Sequence, residues 1–128
     1  MDLYRQLILD HYKHPQNYGL METPDATGEA YNATCGDKIR MDISVHANRS
    51  VYSVRDIRFS GEGCAISIAS ASLLTEEVKG KIFDEILAFT TADITKMLGA
   101  TLTPSRVKCA VLPLEVLHQA INSYAHHS

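Results

Sequence analysis

Lys38-Ile39-Arg40-Met41-Asp42-Ile43-Ser44-Val45-His46 decides the fold. Aliphatic side chains at 39, 41, 43 and 45 alternate with polar ones at the even positions, and successive strand side chains point to opposite faces. The stretch therefore predicts a β-strand with one face buried and one in water. Ala47-Asn48-Arg49-Ser50 has the chemistry of a turn, and a second strand over residues 51–59 ends on Ile57 and Phe59. Val54 is out of phase with that pair, which predicts a β-bulge near Arg55.

Outward from this hairpin the apolar period changes from two to helical. Upstream, Leu3, Leu7, Ile8, His11 and Tyr12 follow Asp2, a good N-cap, and stop at His14-Pro15, so a first helix is expected over residues 3–13. Residues 14–30 show no clear period and read as a long functional loop. Downstream, Ile66, Ile68, Ala69, Leu73, Leu74 and Val78 fit a helix from Ala65 that Gly80 closes, its many alanines and serines permitting close packing. A short helix over 82–89 follows, then one capped by Thr91 and ended by Gly99. The last element is apolar at Val111, Leu114, Leu117, Ile121 and Tyr124. Because proline is tolerated only in a helix's first turn, Pro113 places the start of that helix near Ala110 to Leu112. The expected fold is α+β: an antiparallel sheet of about three strands with helices packed on it, an N-terminal helix and a long C-terminal one, in one domain over residues 1–128.

A chain of 128 residues, 45% of them hydrophobic, can bury its own core without disulfides. No run of 18 apolar residues and no signal-like N-terminus is present, so a cytoplasmic, reducing location is expected and a membrane is not. In that compartment three cysteines read as metal ligands, catalysts or core residues rather than as a disulfide framework. The net charge of −3 is spread along the chain without a basic block, which argues against nucleic acid.

Those cysteines are Cys35, two residues before Asp37; Cys64, closing Gly61-Glu62-Gly63-Cys64; and Cys109, closing Arg106-Val107-Lys108-Cys109. Cys64 precedes one predicted helix and Cys109 another, and a helix N-terminus favours thiolate. Gly36 lets the backbone turn so that Cys35 and Asp37 aim at one point. Three thiolates and a carboxylate make a complete tetrahedral set for Zn²⁺, or four ligands for a [2Fe-2S] cluster. The carboxylate is the harder ligand, so the site is expected to exchange its metal more readily than an all-cysteine one. Lys38, Arg106 and Lys108 flank the ligands and can offset their charge or hold an anionic partner group. Two other accounts stand beside this one. Cys64 and Cys109 could be small core residues, and His46 or His118 could serve a cysteine nucleophile, although both read as solvated surface histidines.

The segments Ile8-Leu9-Asp10-His11-Tyr12-Lys13-His14-Pro15-Gln16-Asn17-Tyr18-Gly19, Asn32-Ala33-Thr34-Cys35-Gly36-Asp37, Phe59-Ser60-Gly61-Glu62-Gly63-Cys64-Ala65-Ile66-Ser67 and Arg106-Val107-Lys108-Cys109 resemble the U-type iron–sulfur cluster assembly proteins, the IscU/SufU family. The resemblance spans almost the whole chain and is closer to the SufU branch. It implies that Cys35, Asp37, Cys64 and Cys109 are the metal or cluster ligands, with zinc as resting metal and iron or a [2Fe-2S] cluster as transient occupant. It also implies that Cys35 accepts sulfur from a cysteine desulfurase, of SufS or IscS type, for delivery to an apo iron–sulfur protein or carrier. Two departures are visible. Lys108 stands where the IscU branch has histidine, and Thr103-Pro104-Ser105-Arg106-Val107-Lys108 replaces that branch's chaperone-binding segment. The chain also lacks room for the insertion of about twenty residues usual in SufU-like chains. A structural zinc-binding interaction module is the alternative from a different class.

Overall fold

The computed structural model describes residues 3–33 and 36–127. Three strands, β1 (Ala26–Asn32), β2 (Asp37–Asn48) and β3 (Val51–Glu62), form an antiparallel meander in the order β1-β2-β3. Ile39, Met41, Ile43 and Val45 all lie on the buried face, as their alternation predicts. The bulge is also where the phase of Val54 puts it. Ser44 pairs with Asp56 and Val45 with Val54, leaving Arg55 as the extra residue. The shift restores phase, so that Val54, Ile57 and Phe59 are all fully buried on one side.

The first strand corrects the expectation of a loop over residues 14–30, whose last part is β1. Its sequence, Ala26-Thr27-Gly28-Glu29-Ala30-Tyr31-Asn32, shows no hydrophobic alternation because a helix backbone, not side chains, lies against it. A Cβ on Gly28 would stand 2.3 Å from the Val116 carbonyl oxygen. Residues 17–25 are bound along the sheet rather than looping free. The Asn17 carbonyl accepts the Phe59 N–H at 2.9 Å and the Gly19 N–H reaches the Phe59 carbonyl at 2.8 Å. Asp42, expected on the solvent face, is instead buried. One of its oxygens accepts the Met21 N–H at 3.0 Å, and the other takes Thr27 Oγ1 at 2.8 Å and Arg40 Nε at 3.0 Å.

Among the described residues five helices complete the fold: α1 (Leu3–Lys13), α2 (Ala65–Val78), α3 (Phe83–Leu87), α4 (Thr91–Leu98) and α5 (Pro104–His127). The span of α1 is the expected one, while its proposed cap, Asp2, lies outside the described residues. Thr90 rather than Thr91 caps α4, in a reciprocal capping box with Asp93. Gly99 ends α4 at φ 70°, with the Tyr4 ring packed where a side chain would be.

The last helix starts earlier than expected. Pro104 occupies its first position, where a missing N–H costs nothing, and Pro113 is accommodated inside it. Pro113 cannot donate to the carbonyl four residues back, that of Cys109. At this point α5 leans on α2, and Ser70 Oγ donates to the Ala110 carbonyl at 2.5 Å. Cys109 is therefore the sixth residue of α5, not its N-terminus. Leu112, Leu114, Val116, Leu117, Ala120 and Ile121 close the core against the sheet and against Ala71, Leu74 and Val78 of α2.

The contact at Gly28 yields a direct test. Gly28→Ala drives a methyl into the α5 backbone, which cannot yield as a flexible side chain would. A loss of about 1–3 kcal/mol is expected from such overpacking, read from urea unfolding with an unchanged m-value.

Candidate metal centre

The site forms where the start of β2 meets the end of β3 and the start of α2. Gly36, at φ 73°, gives its N–H to the Asn32 carbonyl at 2.8 Å, closing the turn that leads into Asp37. Lys38 pairs with Glu62 and Ile39 with Gly61, so Asp37 lies level with the Gly61-Glu62-Gly63-Cys64 exit from β3. Gly61 is required there twice over. Its φ is 136°, and a Cβ would meet the Lys38 carbonyl oxygen at 1.9 Å.

Cys64 is the N-cap of α2, as expected, with extended backbone (φ −73°, ψ 169°) and no capping hydrogen bond from its own side chain. A carboxylate 27 residues earlier compensates: Asp37 Oδ1 accepts the Cys64 N–H at 3.0 Å. The other oxygen, Oδ2, is buried with no hydrogen-bond partner among the described residues. Such an orphan in a fully buried carboxylate costs several kilocalories unless a cation meets it. The half-buried Cys64 thiol and the buried Cys109 thiol supply the rest. One donor atom from each of Asp37, Cys64 and Cys109 lies within 4.8 Å of the others. Around zinc, two sulfurs at about 2.3 Å would stand about 3.8 Å apart, so a small contraction closes the three donors on one ion. Cys35, the fourth candidate, lies outside the described residues.

Cys109 reaches this point from the second turn of α5, its Sγ 3.6 Å from the Ser105 carbonyl. Cys64 thus lies at a helix N-terminus, as expected, and Cys109 does not. Among the flanking cations, Lys38 turns to Glu29, its Nζ 3.7 Å from a carboxylate oxygen. Arg106 and Lys108 are exposed on the first turns of α5. Lys108 borders a surface cavity of about 310 Å³ with Tyr31, Asn32, Ala33, Leu112 and Glu115. A second cleft, about 320 Å³, lies at the Gly61-Glu62-Gly63 exit and is walled by Tyr12 and Tyr18. Tyr12 belongs to the helical period of the first helix, and Tyr18 is marked in the sequence only by its motif.

No histidine joins the group among the described residues. His46 is exposed, as expected of its strand parity. His118 corrects its expectation of solvation: it is half-buried, its Nε2 2.9 Å from the Ile86 carbonyl oxygen. His11 is tied to Ser72, Nδ1 to Oγ at 2.7 Å. A cysteine nucleophile served by His46 or His118 thus finds no geometric support. One residue absent from the sequence-based set is placed next to the site: Ser67, fully buried one turn after Cys64.

Residues 3–128 match the family described as the NifU-like N terminal domain, and the chain belongs to that family. It is 40% identical over 121 residues to the iron-sulfur cluster assembly scaffold protein IscU of Aquifex aeolicus, covering 94% of this chain and 75% of that one. It is 35% identical to the zinc-dependent sulfurtransferase SufU of Bacillus subtilis, covering 93% of this chain and 89% of that one. That alignment runs over 136 positions, more than the 128 residues here, so the relative carries residues with no counterpart in this chain. Among solved structures, a Fervidobacterium islandicum chain described as a candidate assembly scaffold for the SUF system superposes with a TM-score of 0.75 at 26% identity, over 91% of this chain and 94% of that one.

The donor geometry predicts one metal per chain. One equivalent of Zn²⁺ added to metal-free protein should raise Tm by several degrees, since ligand binding to the native state alone stabilises it. Cys64→Ser should abolish most of that rise while leaving the metal-free Tm within about 3 °C, the scale of a sub-kilocalorie change. Differential scanning calorimetry with and without zinc distinguishes the two effects.

Proposed function

We propose that this chain is an iron–sulfur cluster assembly protein of the cytoplasm, whose site accepts sulfur at Cys35 and holds metal through Cys35, Asp37, Cys64 and Cys109. The observation that carries this reading is the buried Asp37 Oδ2, without a hydrogen-bond partner among the described residues, on a carboxylate one of whose oxygens lies within 4.8 Å of the Cys64 and Cys109 sulfurs. A carboxylate chosen over a fourth thiolate makes an exchangeable site, and both relatives named above, a scaffold and a zinc-dependent sulfurtransferase, fit that property.

Zinc at rest would supply the charge that keeps the thiols deprotonated and the pocket intact. The chain's own residues do the rest. Asp37, Cys64 and Cys109 approach from strand and helix positions fixed by the core, and they preserve the site when Cys35 leaves it. Cys35, next to Gly36 in sequence, is the nucleophile: its thiolate attacks the outer sulfur of a persulfide on a cysteine desulfurase. A new S–S bond forms at Cys35, the desulfurase's S–S bond breaks, and the desulfurase cysteine departs as thiolate. Arg106 and Lys108, both exposed, would meet the anionic persulfide or the partner's surface; Lys38, held by Glu29, contributes charge at longer range. Iron and sulfide are cargo, to be passed to an apo iron–sulfur protein or a carrier. Neither nucleic acid nor a membrane is a proposed partner.

Mixing the protein with a cysteine desulfurase, cysteine, reductant and iron without air tests the reading. Sulfur transfer should raise desulfurase turnover several-fold, and Cys35→Ser should remove that stimulation while retaining helix content by circular dichroism. Appearance of [2Fe-2S] absorbance that moves to an apo-ferredoxin assigns the scaffold role. Stimulation without any cluster absorbance confines the chain to sulfur transfer. The structural zinc module makes the opposite prediction, cooperative unfolding on chelation. It is disfavoured by a core, from Phe59 through Leu74 to Leu117, that closes without the site.

A further inference from the structure

Ser67 is fully buried, and its hydroxyl is placed between two atoms of Cys64. Oγ lies 3.1 Å from the Cys64 carbonyl oxygen, to which it donates, and 3.9 Å from Cys64 Sγ. The carbonyl already accepts the Ile68 N–H at 3.1 Å, so the serine is its second donor and not a necessary one. Gly63 makes the arrangement possible. A Cβ there would stand 2.3 Å from Ser67 Oγ and 2.7 Å from Asp37 Oδ1. The glycine is required for room alone, since its φ lies outside the left-handed region. Hydroxyl, carboxylate and thiol thus converge on a space kept clear by one missing methyl group.

A thiol has a proton of its own to give, whereas a metal-bound thiolate only accepts. Ser67 is the side chain recorded within reach of Cys64 Sγ that can donate to it, and rotation about a single C–O bond turns its proton from the carbonyl to the sulfur. We infer that Ser67 is a positioning residue of the metal centre: with metal bound, its hydroxyl donates to the Cys64 sulfur and lowers the electron density that this ligand gives the ion. Hydrogen bonds to ligating sulfur are an established lever on metal sites. The consequence is an asymmetric set. Cys64 is tuned by Ser67, and Asp37 is held by one oxygen through the Cys64 N–H. The inference rests on the metal-centre reading above and goes beyond it in naming the residue that tunes the site.

Cobalt(II) replaces zinc as the probe, because its sulfur-to-metal charge-transfer bands report thiolate donation directly. In Ser67→Ala those bands should move to lower energy while the visible bands of tetrahedral cobalt persist. Ser67→Thr, which keeps the hydroxyl, should restore the band positions of the unaltered protein. Bands in Ser67→Ala that coincide with those of the unaltered protein overturn the role of Ser67 and leave the metal centre standing. Failure of the unaltered protein to bind cobalt overturns the metal centre itself. Should Ser67→Ala not fold, the unaltered protein loaded with ¹¹³Cd decides: scalar coupling from cadmium to the Ser67 hydroxyl proton sustains the inference, and its absence overturns it.

Discussion

The hydrogen bond from the Cys64 N–H to Asp37 Oδ1, 3.0 Å long, ties the first residue of β2 to the cap of α2. It does two things at once. It places an anion at a helix N-terminus, where the backbone dipoles favour it, and it replaces the side-chain cap that Cys64 does not provide. It leaves Oδ2 buried without a hydrogen-bond partner among the described residues, on a carboxylate grouped with the Cys64 and Cys109 thiols. The glycines around it follow from the same constraint. Gly61 lets β3 approach the Lys38 carbonyl, and Gly63 leaves room for the carboxylate itself.

The remainder of the fold holds this contact in place. The β2–β3 pairing brings Asp37 level with the end of β3, and the bulge at Arg55 lets the far part of that strand keep its apolar face inward. Helix α5 crosses close over Gly28 and delivers Cys109 from its second turn. Two of the candidate ligands are thus built into elements anchored in the core, and a third opens a strand. Cys35 lies outside the described residues. The hardness of carboxylate beside thiolate is why an exchangeable centre suits the donor set better than a permanent structural one.

Where local pattern and tertiary packing agree, the sequence could be read. The alternation from Ile39 to Val45, the phase slip at Val54 and the small-residue helix after Cys64 all appear as expected. Where one element makes room for another, it could not. Strand β1 lacks hydrophobic alternation because α5 meets it backbone to backbone at Gly28, and α5 runs through Pro113 where it packs on α2, whose Ser70 hydroxyl donates to the Ala110 carbonyl. Asp42 follows a strand's polar parity yet is buried, since residues 21 and 27 come back to satisfy it. Asp37, Cys64 and Cys109, marked by residue type, do lie together, and the helical period from Ala65 placed Cys64 correctly. The support of Cys109 was misjudged through Pro113, and Ser67 was invisible because a serine in a run of alanines and serines carries no local mark.

X-ray absorption at the zinc edge tests the central claim most directly. The account predicts a first shell of three sulfurs at about 2.3 Å and one oxygen at about 2.0 Å, with Cys35→Ser replacing one sulfur by a lighter scatterer. A shell containing histidine, or one in which Asp37→Ala leaves the oxygen contribution unchanged, would contradict it.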